Sequence, residues 1–149
     1  MPADKDCPED RLGDWPRWYR LDEHKQIHRV YSMTEANCAL QVANFIVGLT
    51  NLDDDTSVST VFLSLDHARP HFSAEWPGEF PPPDLAPLVF ETASFDENGV
   101  RILERYSSYA QAESGHARYV IETRRNLRES EYAAAVLLAR LRRSAPTRG

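Results

Sequence analysis

Cysteine is scarce in this sequence, and long apolar runs are missing. Two cysteines, Cys7 and Cys38, cannot form a disulfide framework, and without an export signal both are expected as reduced thiols. Neither has a histidine nearby in sequence, which leaves a thiol nucleophile unsupported. No apolar stretch approaches the ~18 residues of a membrane span, so no membrane association is expected. The opening MPADKDCPEDRLGD holds no apolar signal core, so a cytoplasmic location is expected. Gly13, Gly48, Gly78, Gly99, Gly115 and Gly149 are scattered, so no phosphate-cradling loop exists. Lysine is nearly absent, with Lys5 and Lys25 set against 15 arginines.

What remains is the composition of a globular domain. The chain has 149 residues, 42% apolar and 27% charged. A chain of this size can bury about 68–70% of its unfolded surface, so it needs neither disulfide nor metal to fold. Net charge is −6, which argues against a protein devoted to gripping nucleic acid. That charge is unevenly spread. Residues 1–123 carry 10 basic and 21 acidic side chains, a balance of −11. Residues 124–149 carry seven arginines against Glu129 and Glu131, a balance of +5. Such a tail can sit at a helix C-terminus, where cations oppose the dipole. It can also hold nucleic acid, an acidic partner or the body of a neighbouring subunit.

Pattern and punctuation predict an α+β fold. Residues 1–14 read as a mobile acidic arm. RWYRL (17–21) and IHRVY (27–31), joined by a polar loop, predict a β-hairpin. Ser32 and Glu35 form a capping box, and the stripe Ala39, Val42, Ala43, Ile46 and Leu49 predicts a helix over about 33–47, stopped by Gly48. TNLDDDT reads as a turn. STVFLSL (59–65), LVFETASF (88–95) and VRILERY (100–106) predict three strands, the last two joined at Asn98-Gly99. Residues 68–87, rich in proline, read as an irregular loop. Ser108 and Gln111 cap a helix over about 109–126, and a further helix is predicted over 130–143. The expectation is an antiparallel sheet of 3–5 strands with two or three helices mainly on one face. Residues 15–126 form the expected domain, with 127–149 as a C-terminal helix and basic tail.

Three blocks carry a resemblance. STVFLSLDH (59–67), PLVFETASF (87–95) and ERYSSYAQAESGH (104–116) resemble a widespread family of small, uncharacterised proteins of bacteriophages and prophages. Those proteins read as a strand ending in Leu-Asp-His, then Pro-Leu-Leu-Phe-Glu-Thr, then Arg-Tyr-Ser/Thr-Trp before an acidic helix ending in Gly-His. The resemblance implies a phage or mobile-element origin, and so the cytoplasm of a bacterial host, but no activity. Departures are Ser64 at the family's usual glycine, Tyr109 after Ser107-Ser108, a longer loop at 68–86, and a C-terminal helix without counterpart.

Two sets of candidate residues follow. Asp66, His67, Glu91 and His116 have the chemistry of a divalent-metal site, and His67 and His116 that of general acid–base work. No Cys-x-x-Cys spacing anchors a metal, so no cofactor is expected and a divalent ion stands as the alternative. Ordinary structural roles compete: Glu91 pairing with Arg101 or Arg105, Asp66 fixing a turn, His116 bonding a backbone carbonyl at a core edge. The second set is for binding. Trp15 and Trp18 alternate with arginines in WPRWYR, and Trp76 and Phe80 precede the polyproline run of EWPGEFPPPD. The primary functional expectation is therefore a small phage-associated accessory protein that acts by binding another protein, such as a host defence factor; the residues lean away from an enzyme without deciding the point. The alternatives are a metal-dependent hydrolase using the His/Asp/Glu set and an oligomeric assembly component joined through the C-terminal helix.

Overall fold

The computed structural model describes residues 11–12, 16–42, 45–68 and 85–144. Its element order is β1 (Trp18–Leu21), β2 (Ile27–Val30), α1 (Met33–Val42), β3 (Ile46–Asn51), β4 (Ser57–Phe62), β5 (Phe90–Asp96), β6 (Gly99–Tyr106) and α2 (Tyr109–Ser144). β1 and β2 form an antiparallel hairpin, and β3-β4-β5-β6 form an antiparallel meander. The fold is α+β, with α2 lying across one face of the meander.

The hairpin turn is organised by Asp22. Its Oδ1 accepts from the amides of His24 and Gln26, and its Oδ2 meets His28 Nε2 at 2.7 Å. Lys25 takes a positive φ of 63° there. On the other side, β1 pairs with the chain beyond β4. Tyr19 N donates to Ser64 O, Asp66 N donates to Arg17 O, and Trp18 bridges Leu65. One edge of the long β4 segment thus pairs first with β3 and then with β1. Ser64, buried with φ 62°, sits where the neighbour changes. Arg11 and Leu12 pair along residues 31–32, so this part of the expected arm is tied down. The rest of that arm lies outside the described residues, as do Trp15, Trp76, Phe80 and most of the proline-rich loop.

Two helix boundaries differ from the sequence reading. The first helix follows its capping box, with Glu35 N donating to Ser32 Oγ at 3.0 Å, but it stops by Val42. Ile46, Val47 and Thr50 instead form β3, because β-branched side chains fit a pleated surface paired with β4. Gly48 is therefore no helix stop. The second difference is α2, one helix of 36 residues where two were expected. Residues 124–131 contain neither glycine nor proline, so nothing interrupts it, and the expected division at 126/127 falls inside a continuous element.

The core lies between α2 and the meander. Val58, Thr60 and Phe62 of β4 and Phe90 and Thr92 of β5 point toward α2 and are buried. An aromatic series binds the layers: Phe45 stacks on Phe62 at 6.4 Å, Phe62 meets Phe90 at 5.2 Å, and Phe90 meets Tyr109 edge-on at 6.1 Å. Tyr19, Leu21 and Ile27 close this cluster from the hairpin side.

Candidate functional site

Consecutive residues of a strand face opposite sides of the sheet, and this divides the expected His/Asp/Glu set. Thr92 faces α2, so Glu91 faces away from it. Glu91 accepts from Arg105 Nε at 2.9 Å across the β5–β6 ladder, a half-buried ion pair on the face remote from α2. His67 belongs with that pair. Burial lowers its pKa first, then the nearby Arg105, while Glu91 and Asp66 act the other way. At neutral pH the imidazole is accordingly neutral.

Asp66 closes the strand end. Its Oδ1 accepts from Ala68 N at 2.9 Å and Leu88 N at 3.0 Å, joining the end of the β4 segment to the entry of β5. Its Oδ2 is buried and has no hydrogen-bond partner among the described residues. The nearby carboxylate adds to the burial that raises the Tyr19 pKa.

His116 lies on the other side, under α2. Its Nε2 and Thr50 Oγ1 are 2.9 Å apart, as are its Nδ1 and Thr60 Oγ1. Thr60 Oγ1 in turn meets Thr92 Oγ1 at 2.6 Å. Hydroxyls both donate and accept, so this chain satisfies a neutral imidazole in either tautomer. Burial lowers the His116 pKa and favours that neutral form. The expected backbone carbonyl partner is thus replaced by threonines from two strands, Thr50 of β3 and Thr60 of β4, with Thr92 of β5 behind Thr60. With both ring nitrogens occupied, His116 has no lone pair to spare for a metal. Among the described residues no three His, Cys, Asp or Glu side chains gather closely enough to hold one. His67 neighbours Glu91 and Arg105 on the face remote from α2, whereas His116 lies beneath α2, so the two imidazoles do not converge.

Two glycines let this helix approach so closely. A Cβ on Gly48 would lie 2.8–2.9 Å from the His116 ring. A Cβ on Gly115 would overlap the Tyr106 hydroxyl. Tyr106 is itself buried beside Thr92 and Glu104, and burial raises its pKa. Arg118 of α2 pairs with Glu104 of β6 and completes the join. An open groove of about 730 Å³ runs between β6 and the first turns of α2, past Glu104, Gln111, Ser114 and Arg118. None of Asp66, His67, Glu91 or His116 lines it.

No family model, curated protein or solved structure matches the chain. The site must therefore be read from its own surfaces.

Those surfaces are apolar and of two kinds. On α2, Ala112, Gly115, His116, Tyr119, Val120 and Thr123 face the sheet. At 100° per residue the same stripe continues through Leu127, Ala134, Leu137, Leu138 and Leu141. From Arg128 to Arg143, however, every residue except Val136 is exposed. Leu137, Leu138 and Leu141 are each more than half exposed. The helix is about 54 Å long at 1.5 Å per residue, and its second half outruns the sheet.

The second surface is the face of the meander turned away from α2. The register Leu49↔Ser59, Phe95↔Val100 and Ala93↔Ile102 places Leu49, Phe95, Val100 and Ile102 together on it. Leu49, Val100 and Ile102 are more than half exposed. Trp18, the one described member of the expected binding set, is half-buried and paired on both sides, with Val30 and Leu65. Sequence reading missed the sheet surface because it followed aromatic clusters and not strand faces. The alternation in VRILERY was its available signal. Among the described residues no helix is long and apolar enough to cross a membrane.

Proposed function

We propose that this protein is a phage- or mobile-element-associated accessory protein that acts by binding another protein chain and performs no catalysis of its own. Its contact elements are the projecting half of α2 and the open face of the meander. The observation that carries this reading is the apolar stripe of α2, which runs on past the sheet with three leucines in solvent. Burying a leucine is worth about 1.5–3 kcal/mol, so three exposed in one patch leave a large association energy unused. The phage origin is supported by the three sequence blocks that resemble the phage family. The separation of His67 from His116 supports the non-catalytic part.

A photo-crosslinking amino acid placed at Leu138, with the chain expressed in a bacterial cytosol, tests the reading. Irradiation is expected to give discrete adducts from position 138 and none from Arg124, which lies off the stripe. Absence of any adduct at 138 would refute a binding role for this helix.

A further inference from the structure

We infer that the first partner of these two surfaces is a second copy of this chain, with the projecting half of α2 from each copy laid across the open sheet face of the other. The inference rests on the binding role proposed above and names its partner. Among the described residues each molecule carries one helix stripe and one sheet face with nothing packed on them, so two copies related by a two-fold axis satisfy both. Dimensions agree: residues 128–144 span about 25 Å of helix, and strands of six to eight residues run about 20–27 Å.

Charge decides between this arrangement and its nearest rival, helix against helix. Residues 124–144 hold six arginines against Glu129 and Glu131. Two such segments side by side would bring like charges together. The sheet offers the opposite sign. The β3–β4 turn carries Asp53, Asp54 and Asp55, and the β5–β6 turn carries Asp96 and Glu97. The pairing Ser57↔Phe95 sets these two turns at the same end of the meander. That acidic end adjoins the exposed Phe95 and Val100. On the helix, Arg140, Arg142 and Arg143 adjoin Leu137, Leu138 and Leu141. An apolar stripe with a basic end thus meets an apolar face with an acidic end.

Sedimentation equilibrium on the untagged full chain, from about 1 to 100 μM, tests this. The expected wild-type mass at the upper end is twice the 17.0 kDa of one chain. Leu138→Ser with Leu141→Ser should weaken self-association roughly tenfold or more, with unchanged sheet signal in circular dichroism. Val100→Thr with Ile102→Thr should weaken it likewise while keeping strand propensity. Arg142→Glu with Arg143→Glu should weaken it, and adding Asp54→Lys and Asp55→Lys in the same chain should restore it. Asp53 is left intact because its carboxylate holds the turn through the amides of Asp55 and Thr56.

A monomer throughout the range overturns the inference. So does a dimer that the leucine changes do not weaken. A dimer weakened by the leucine changes, but blind to the sheet changes and to the charge exchange, is a helix–helix pair and also overturns it. If the chain is monomeric yet crosslinks from position 138 to a protein of another mass, the binding reading stands and the second copy falls.

Discussion

Tyr109–Leu127 and Arg128–Ser144 are halves of one helix built on one apolar stripe, yet only the first has a surface to lie on. In the first half, contact with the sheet overrides local preference: a glycine sits mid-helix, a histidine is sunk among threonines, and a tyrosine hydroxyl presses on the helix backbone. In the second half local preference rules, and EYAAAVLLARL is helical because its residues favour helix. A helix held by packing and a helix held by propensity should answer the same substitution differently.

Gly115→Ala gives the largest contrast. In a free helix this change stabilises by about 1 kcal/mol. Here the new methyl collides with the buried Tyr106 hydroxyl, and overpacking of this kind costs about 1–3 kcal/mol net, read as a shift in urea unfolding. The ring carbons behind that hydroxyl would be met as well, so Tyr106→Phe in the same chain should recover only a small part and Tyr106→Ala most of the coupling, which the double-mutant cycle measures. Additive effects would mean that the helix does not rest on Tyr106.

Gly48→Ala follows, at about 1–2 kcal/mol of destabilisation. Its methyl would meet the His116 ring, which Thr50 and Thr60 hold from both sides, so the ring cannot yield without losing hydrogen bonds. Gly48→Ala in a His116→Ala background should be close to neutral.

Much of the fold was legible because hairpins and capping boxes are local. The β1–β2 hairpin, the β5–β6 turn at Gly99 and both serine caps follow from a few adjacent residues. β3 was not legible, since Ile46 and Leu49 fit a helical stripe as well as a strand and only pairing with β4 decides. Gly48 and Gly115 were opaque for a deeper reason: what each touches belongs to another element and comes close only once α2 packs on the sheet. Of the candidate site, the pairing of Glu91 with Arg105 and the turn role of Asp66 could be foreseen from residue types. The division of His67 from His116 could not, because it depends on which side of the sheet each one takes.

The third test is acidification. His116 and His67 both have pKa values lowered by burial, so between the folded and unfolded values the unfolded chain binds more protons. Their contribution to stability is complete above about pH 6.5, the unfolded value, and declines as pH falls from there toward the lower folded values. His116→Gln should flatten that decline by its own share in unfolding curves between pH 5 and 8. An unchanged slope would show that His116 is not held neutral beneath the helix.

Ser64→Gly has a smaller effect, and of the opposite sign. An L-residue at φ 62° costs about 1–2 kcal/mol, and glycine's extra unfolded freedom costs about 0.5–1 kcal/mol, so the change should stabilise by about 0.5–1 kcal/mol. The packed side of the molecule would then gain from the residue least suited to a strand. A loss of stability would place the value of Ser64 in its buried hydroxyl.

Ala134→Gly completes the comparison, and its expected effect is the smallest. It reverses the chemistry of Gly115→Ala on the same stripe, one turn short of the exposed leucines. Ala134 is exposed, as is every residue from Arg128 to Arg143 but Val136. Glycine there costs the local helix about 1 kcal/mol. Local fraying, however, is not global unfolding. At concentrations low enough to keep the chain monomeric, the urea midpoint should move by no more than about 0.5 kcal/mol, while helical ellipticity falls and amides of the projecting half exchange faster. A full 1 kcal/mol loss in the dilute monomer would mean that both halves of α2 unfold as one unit. The same substitution should weaken self-association at high concentration, because a frayed helix must be ordered again before it can dock. The two concentration regimes therefore read the two roles of this segment separately: a passive extension of the domain when alone, and a contact element when a partner is present.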